Sequence, residues 1–221
     1  MVKYVAGQVA RHTPMLETRS LHRLAVGPID LTLGPGCCMS IIGKSGSGKS
    51  ILLRMIADLD PHEGGAALDG IACSSMPAPA WRRQVTYVAA ESGWWDDRVA
   101  AHFPARADLS ALFASVGIPA QAVSWPVSQL STGERQRLAL LRALAPANRV
   151  LLLDEPTSGL DVASTAMVET LLRERLAHGG AVVLVTHDPA QAARMASRHF
   201  ELRDGRLEAR AGYKHVVGPF D

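Results

Sequence analysis

One short glycine-rich segment carries the residue types that hold phosphate groups. It reads Gly43-Lys44-Ser45-Gly46-Ser47-Gly48-Lys49-Ser50, with Ile51 directly after it. Glycines permit backbone angles closed to other residues, so successive N–H groups can point inward and bind an anion at a helix N-terminus. Lys49 would place a cation against the β- and γ-phosphates, and the Ser50 hydroxyl would bind Mg²⁺. The segment, counted through Ile51, predicts a nucleotide site, with a plain Gly/Ser-rich turn as the alternative.

Two adjacent carboxylates, Asp154 and Glu155, form the second candidate group. They follow the apolar run 150–153. Ligands of open α/β sheets bind outside the C-terminal ends of strands, which is where these acids would stand. Asp154 would hold Mg²⁺ across from Ser50, and Glu155 would be the general base that orients the attacking water. Solvated acids capping a strand end are the alternative, but the upstream lysine loop favours the functional interpretation.

A scaffold that could position these groups can be read from the hydrophobic pattern. Continuous apolar runs predict buried parallel strands at 37–42, 150–153 and 181–185. Helical patterns predict helices at 51–57, 77–83, 108–116, 131–145 and 163–177. Ser131 and Glu134 have the capping-box spacing that begins the fourth of these helices, and Pro146 marks its end. Strands that alternate with helices indicate an α/β fold with a mostly parallel sheet.

Shorter strands complete the predicted fold. They are expected at 16–21, 29–33, 66–69 and 84–88, and in a terminal hairpin of 199–203 and 206–210. Gly27-Pro28 is predicted to separate the first two, and the cluster 61–65 is predicted to be a turn. The first strands look like a small antiparallel patch over the nucleotide edge.

Composition limits the classes of function. The chain has 221 residues, 48% of them hydrophobic, and a formal net charge of +2. A net charge this small does not produce the strong positive potential that non-specific nucleic-acid binding needs, so nucleic acid is not expected as a partner. Cys37, Cys38 and Cys73 have no metal-ligand spacing and are interpreted as reduced cytosolic thiols. No apolar run approaches the roughly 20 residues of a membrane helix, so any membrane span would belong to another chain.

Taken in order, the motifs resemble those of the ATP-binding subunit of an ABC transporter, from residue 16 to about 210. Residues 130–134, Leu-Ser-Thr-Gly-Glu, resemble the signature sequence of that family. Residues 158–161, Ser-Gly-Leu-Asp, resemble its D-loop, and residues 186–188, Thr-His-Asp, resemble its switch histidine. The resemblance implies a P-loop NTPase of ABC ATPase type: a mostly parallel core sheet, an antiparallel β patch and a short inserted helical subdomain.

The resemblance also implies a division of the chain. Residues 1–14 would be an N-terminal tail, and residues 15–221 would form one ABC ATPase domain. Within it, 15–88 and 146–221 would form the RecA-like core and β patch. Residues 89–145 would form the helical subdomain with the signature helix.

In this family two subunits pack head to tail around ATP, which implies roles for the remaining motif residues. The signature residues Ser131, Thr132, Gly133 and Glu134 would bind the γ-phosphate held by the lysine loop of a second copy. Asp161 would lie at the dimer seam, and could equally be a plain helix N-cap. His187 would contact the γ-phosphate and Glu155. The subunit would hydrolyse MgATP to drive a separate membrane permease from the cytoplasmic face of the membrane.

Three positions depart from the family pattern. Thr132 stands where the family usually has glycine. Ala90 stands where the glutamine of the Q-loop is expected, and Glu91 could replace that glutamine by a one-residue shift. Only His22 lies in the region that normally supplies an adenine-stacking aromatic residue, and it is also interpretable as a polar turn residue.

Other interpretations stay open from the sequence. The chain could be a soluble ABC-type ATPase that acts on nucleic acid or ribosomes, or a regulatory module with weak hydrolysis. Trp94 and Trp95 could be exposed to a permease helix, or could close the core of the helical subdomain. Residues 81–87 are similar to small two-component systems suspected of metal export.

Overall fold

The structure, a computed structural model, describes residues 14–104, 108–144 and 148–210. Its strands are β1 (Leu16–Arg23), β2 (Val26–Leu33), β3 (Cys38–Ile42), β4 (Glu63–Leu68), β5 (Ile71–Ala72), β6 (Val85–Val88), β7 (Val150–Asp154), β8 (Ala181–Val185), β9 (Arg198–Arg203) and β10 (Arg206–Ala209). Its α-helices are α1 (Lys49–Ile56), α2 (Ala78–Gln84), α3 (Leu109–Ala114), α4 (Thr132–Leu144), α5 (Val162–Ala177) and α6 (Pro189–Met195). The expected N-terminal tail, apart from Pro14, and Pro146 lie outside the described residues.

The larger sheet has six strands in the order β10-β9-β3-β8-β7-β6. Its strands from β9 to β6 pair in parallel, and β10 pairs with β9 in the antiparallel direction. Parallel strands end at the same edge of a sheet, so the residues that follow β3, β7 and β8 meet there. The predicted mixed α/β fold with a mostly parallel sheet is confirmed.

The smaller sheet is antiparallel, with the order β2-β1-β4-β5. Two of the turns expected within it are wrong. Gly27-Pro28 lies inside β2, because β2 is an edge strand and a proline there removes no bond from the interior of the sheet. The chain reverses instead at 24–25, between β1 and β2.

The expected turn at 61–65 is also partly strand, since β4 begins at Glu63. Gly64 has a φ of +78°, and a Cβ there would lie 2.2 Å from the carbonyl oxygen of Ser20. The register between β1 and β4 shifts between Arg19 and His22, next to this contact. Glycine at this position therefore permits the close approach of two backbones at an irregular ladder.

Helix α6 was not predicted. Asp188 caps it, since its carboxylate accepts a hydrogen bond from the backbone N–H of Ala190, and Pro189 is its first residue. An acidic N-cap followed by proline is a recognised start signal, so a local cue was present in the sequence.

Buried apolar side chains form three clusters. The first packs α1 and the smaller sheet against one face of the larger sheet, and the second packs α4 and α5 against the other face. Strand β7 supplies both, because alternate side chains point to opposite faces: Leu152 belongs to the first cluster, and Leu151 and Leu153 belong to the second. The third cluster joins the segment 99–130 to the inner face of α4.

The sequence left open whether Trp94 and Trp95 are exposed or packed in the core of the helical segment, and one of them does each. Trp94 packs against the third cluster, whereas 69% of Trp95 is exposed. The Arg142 guanidinium lies over both rings, 5.2 Å from the centroid of Trp94 and 4.6 Å from that of Trp95.

Among the described helices, none has the length and apolar character needed to cross a membrane.

Helices α5 and α6 are joined by an ion pair whose acidic partner is buried and whose arginines are partly exposed. The Glu169 side chain is only 4% exposed, and its carboxylate accepts from Arg194 (2.6 Å) and Arg173 (3.0 Å). Burial by itself raises the pKa of this carboxyl, but hydrogen bonds from Arg194 and then Arg173 outweigh burial and lower the pKa below 4.5. The carboxylate is therefore charged in the folded protein at neutral pH.

We expect Glu169→Gln to lower the free energy of unfolding at pH 7 by about 1 to 3 kcal/mol, because two charge-assisted hydrogen bonds weaken. A lowered carboxyl pKa contributes stability that is complete above the unfolded value of 4.5 and is lost as the pH falls through the folded value. Urea denaturation should therefore show wild type and variant converging below pH 4.5. Glu174→Gln, an exposed site on the same helix, is the control. A difference that does not change with pH would contradict the expectation.

Candidate functional site

The glycine-rich segment connects β3 to α1 and is wedged between two strands. Gly48 has a φ of +99°, and a Cβ there would lie 2.3 Å from Val26 Cγ2 on β2. A Cβ on Gly43 would lie 2.5 Å from the Leu202 carbonyl oxygen on β9. At Gly43 and Gly48 the loop backbone thus sits where side chains would not fit, which allows it to form a concave surface. Within the loop, the Ser47 N–H donates to the Lys44 carbonyl (3.2 Å).

Lys49 folds back over this loop. Its ammonium group donates hydrogen bonds to the carbonyl oxygens of Gly43 (2.8 Å) and Lys44 (3.0 Å). The cation is thereby held on the loop itself. The Ser47 hydroxyl oxygen is buried and has no hydrogen-bond partner among the described residues, which leaves a polar group available to a ligand.

The two predicted carboxylates lie at the end of β7, next to the loop. Asp154 is the last residue of the strand, and Glu155 follows with a φ of +51°, which residues other than glycine rarely adopt. Three hydrogen bonds hold the backbone there: its N–H donates to Val185 (2.9 Å), and its carbonyl accepts from Ser158 (3.1 Å) and Gln136 (2.9 Å). Backbone strain of this kind is typical of functional sites.

His187 contacts the Glu155 side chain. Its backbone N–H donates to Glu155 Oε2 (3.2 Å), and its ring Nδ1 lies 2.7 Å from the same oxygen. The predicted pairing of these two residues is therefore present. The imidazole is 70% exposed and Glu155 19% exposed, so the histidine lies on the solvent side of the acid.

These groups line one cavity of about 550 Å³. Its lining residues are Gly43, Ser45, Gly46, Gly48, Lys49, Ser50, Ile51, Ala90, Asp154, Glu155, Ser158 and His187. The Ser50 hydroxyl and the Asp154 carboxylate share this cavity, and such hard oxygen donors are the ligands that Mg²⁺ prefers. The donor set therefore fits the magnesium ion predicted from the sequence.

A second cavity, of about 820 Å³, shares the loop with the first and extends to the far side of it. One wall is the turn between β1 and β2, including Leu24, and the other is the hairpin of β9 and β10. His22 does not line it; the His22 ring lies 2.9 Å from the Ser20 carbonyl oxygen and 3.3 Å from the Glu63 carboxylate. Leu24, which is 81% exposed, lines this wall.

The signature residues begin α4, away from this cavity. The predicted capping box is present: the Ser131 N–H donates to Glu134 Oε2 (2.8 Å), and the Glu134 N–H donates to Ser131 Oγ (3.2 Å). The bonds from Ser131, first from its backbone N–H, lower the pKa of Glu134. Of the described residues that line the lysine-loop cavity, none belongs to the signature segment Ser131, Thr132, Gly133 and Glu134.

Asp161 caps α5, which is one of the two roles considered for it. Its carboxylate accepts from the Ser164 backbone N–H (2.7 Å), which lowers its pKa, and from the Ser164 hydroxyl (3.2 Å). Arg137 of α4 donates to the same hydroxyl (2.6 Å) and so ties the signature helix to this cap. Asp161 does not line the lysine-loop cavity of its own chain.

The atypical Q-loop region contributes little to the cavity. Ala90 lines it with a methyl group, whereas Glu91 is exposed and is not among its lining residues. An unexpected contact lies behind the cavity wall, where the Tyr87 hydroxyl donates to Asp154 Oδ2 (3.0 Å). Burial, followed by the nearby charge and hydrogen bond of Asp154, raises the pKa of Tyr87, so the phenol keeps its proton.

The sequence matches the model of the ABC transporter family over residues 26–158. Two relatives carry the name aliphatic sulfonates import ATP-binding protein SsuB. The one from Ralstonia nicotianae is 40% identical over 188 residues, which cover 81% of this chain and 64% of that protein. The one from Cupriavidus necator is 36% identical over 212 residues, which cover 91% and 69% respectively. The chain thus spans about two thirds of the length of the relatives it matches.

Solved structures give the same assignment of fold. An ATP-binding subunit of an ABC transporter superposes with a TM-score of 0.79 at 21% identity, over 87% of this chain and 88% of that one. The ATP-binding cassette MJ0796, in a dimeric post-hydrolysis state bound to ADP and Pi, superposes with a TM-score of 0.77 at 25% identity. That match covers 92% of this chain and 100% of the other. The resemblance and the fold class inferred from the motifs are confirmed.

Packing at the loop leads to a prediction about its glycines. Gly48→Ala should lower the free energy of unfolding by about 2 to 4 kcal/mol, because it adds a clash with Val26 to a left-handed backbone. Gly46→Ala is the matched control: its φ is +76°, but a Cβ there would meet nothing within 4 Å, so only about 1 to 2 kcal/mol is expected. Val26→Ala should recover part of the loss in the Gly48 variant. Equal losses for the two alanine variants in urea denaturation would refute this account.

Proposed function

Since the chain belongs to the ABC transporter family, we propose that it binds MgATP and hydrolyses it to ADP and phosphate as the energising subunit of a transporter. One observation carries the proposal: Lys49, Ser50, Asp154, Glu155 and His187 line a single cavity. Their types are a cation for phosphate, hard oxygen donors for a metal, and an acid in contact with a histidine. Such a combination suits phosphoryl transfer to water.

Each group in the cavity has a task that follows from its chemistry. The loop N–H groups from Gly43 to Ser50 and the N-terminus of α1 would bind the phosphates, and Lys49 would leave its carbonyl partners to meet the terminal phosphates. Ser50 and Asp154 would hold Mg²⁺, which when bound neutralises charge on the phosphate oxygens. Glu155 would orient the attacking water and accept its proton. His187 would steady Glu155 and contact the terminal phosphate.

The signature residues require a second copy of the chain. Ser131, Thr132, Gly133 and Glu134 stand at the start of α4, where the helix dipole favours an anion. The capping box occupies the N–H groups of Ser131 and Glu134, so those of Thr132 and Gly133 would be the donors. Because they are remote from the cavity of their own chain, the phosphate they bind would be held by a partner subunit, with Asp161 at the seam. The dimeric, ADP-bound state of the cassette MJ0796 supports this arrangement. ATP would thus hold the dimer together, and hydrolysis would loosen it.

Transport requires an integral-membrane permease, to which we propose the chain binds at the cytoplasmic face of the membrane. The helical segment 89–145 would act as a subdomain that receives the permease, since Trp95 exposes a large apolar ring there. Two relatives are named as ATP-binding proteins for the import of aliphatic sulfonates. Their names favour import over the metal export considered from the sequence, and sulfonates are the first cargo to test. A soluble ATPase acting on nucleic acid gains no support from a net charge of +2.

Replacing the proposed general base provides the test of this function. Glu155→Gln should reduce ATP hydrolysis by about two to four orders of magnitude, because the neutral amide cannot accept a proton. The variant should keep its ATP affinity and form a stable dimer with MgATP, measured by size-exclusion chromatography with light scattering. Lys49→Ala is the control, and it should lose nucleotide binding and stay monomeric. A Glu155→Gln protein that hydrolyses ATP at the wild-type rate would refute the general-base role.

The permease contact can be tested separately. Trp95→Ala should reduce co-purification with a co-expressed candidate permease by about tenfold, because large exposed aromatic residues often dominate an interface. Ile71→Ala, on β5, is the matched control, since Ile71 is also an exposed apolar side chain (55%) but lies on the smaller sheet. Thermal unfolding of both isolated variants checks their folding. Equal retention of the membrane partner by both variants would exclude Trp95 from the interface.

A further inference from the structure

The hydroxyl of Tyr87 makes a contact that the functions proposed above leave unexplained. It donates to Asp154 Oδ2 at 3.0 Å. Among the described residues, this is the one hydrogen bond made to the Asp154 carboxylate, although the residue is only 5% exposed. A nearly buried carboxylate with a single protein donor is held in one orientation by that donor.

The register of the larger sheet accounts for the contact. Tyr87 of β6 is paired with Leu152 of β7, and Asp154 lies two residues further along the same strand. Side chains two residues apart share a face of a sheet, so Tyr87 is the diagonal neighbour of Asp154 on the face covered by α1. Tyr87 itself packs against the first apolar cluster. The ring is therefore anchored, and its hydroxyl has a defined position.

The same carboxylate also lines the cavity with Ser50. One oxygen, Oδ2, is engaged by the phenol, which lies outside the cavity lining, so the other oxygen remains for the ligand side. Ala90 brings only a methyl group to this wall, and Glu91 does not reach it. Ser50 and Asp154 are the lining residues predicted to hold Mg²⁺, so the orientation of the Asp154 carboxylate would determine which of its oxygens reaches the ion.

From this geometry we propose that Tyr87 is a positioning residue for magnesium: its hydroxyl turns the Asp154 carboxylate so that the free oxygen faces the ion bound with the nucleotide. The inference rests on the proposed function, because it assumes that Ser50 and Asp154 hold Mg²⁺. It goes further in assigning a role to a residue outside the cavity. Groups that hydrogen-bond a metal-binding carboxylate typically change metal affinity by 10- to 100-fold when they are removed.

The experiment measures the gain in ADP affinity that magnesium provides. The full chain is titrated with ADP by calorimetry, once in EDTA and once in excess Mg²⁺, and the ratio of the two dissociation constants is the gain. Tyr87→Phe should reduce this gain about tenfold. Its affinity for ADP in EDTA should stay within about twofold of wild type, because the phosphate-binding loop is unchanged. A structural defect alone would weaken both measurements together.

Thr86→Val is the matched control. It removes the hydroxyl of the neighbouring residue of β6, and that O–H group donates to the Arg82 carbonyl (3.1 Å) and not to the site. Its magnesium gain should equal that of wild type. Tyr87→Leu, which also lacks the hydroxyl, should lose the gain to the same extent and serves if the phenylalanine variant folds poorly.

The outcomes separate the two proposals. If Tyr87→Phe keeps the full magnesium gain while wild type shows one, the role of Tyr87 is overturned and the proposed ATPase function stands. If wild-type protein binds no ADP, or binds it equally with and without magnesium, the magnesium site and the proposed function fail, and the role of Tyr87 fails with them.

Discussion

Parallel pairing of β3, β8 and β7 is the constraint on which the candidate site depends. All three strands end at the same edge of the sheet. There β3 leads into the lysine loop, β7 ends with Asp154 and is followed by Glu155, and β8 is followed by the segment with His187. These segments are far apart in sequence. Backbone hydrogen bonds between buried strands bring them within a few ångströms, and the apolar clusters on both faces keep the strands in register.

The site concentrates features that are unfavourable by themselves. Glycine backbones stand where a Cβ would clash, Glu155 has a left-handed conformation, and the Ser47 hydroxyl is buried without a partner among the described residues. Strained or unsatisfied groups persist only where the surrounding structure holds them. Here β2 and β9 confine the loop, and Glu155 is held by its N–H bond to the Val185 carbonyl of β8 and by the bond that its carbonyl accepts from Gln136 of α4. Such a site is organised before a ligand binds, which reduces the cost of ordering it.

Two further groups that we propose to be functional lie outside the cavity lining. Residues 131–134 stand at the start of α4, and Trp95 exposes its ring beside Arg142. A large exposed apolar ring is typical of a surface that a partner protein covers. Contacts inside the chain connect these surfaces to the cavity: Gln136 of α4 donates to the Glu155 carbonyl, and Arg137 reaches the cap of α5.

Most of the strands, the lysine loop, the capping box of α4 and the carboxylate pair could be predicted from the sequence, because each depends on local periodicity or on bonds between near neighbours. Tertiary structure decided the rest. Gly27-Pro28 became part of β2 because that strand lies at an edge, which no local pattern reveals. Leu24 lines the second cavity and His22 does not, because the turn between β1 and β2 falls at 24–25. The bond from Tyr87 to Asp154 exists only because β6 pairs with β7 in one register, and register is set by packing across the whole sheet.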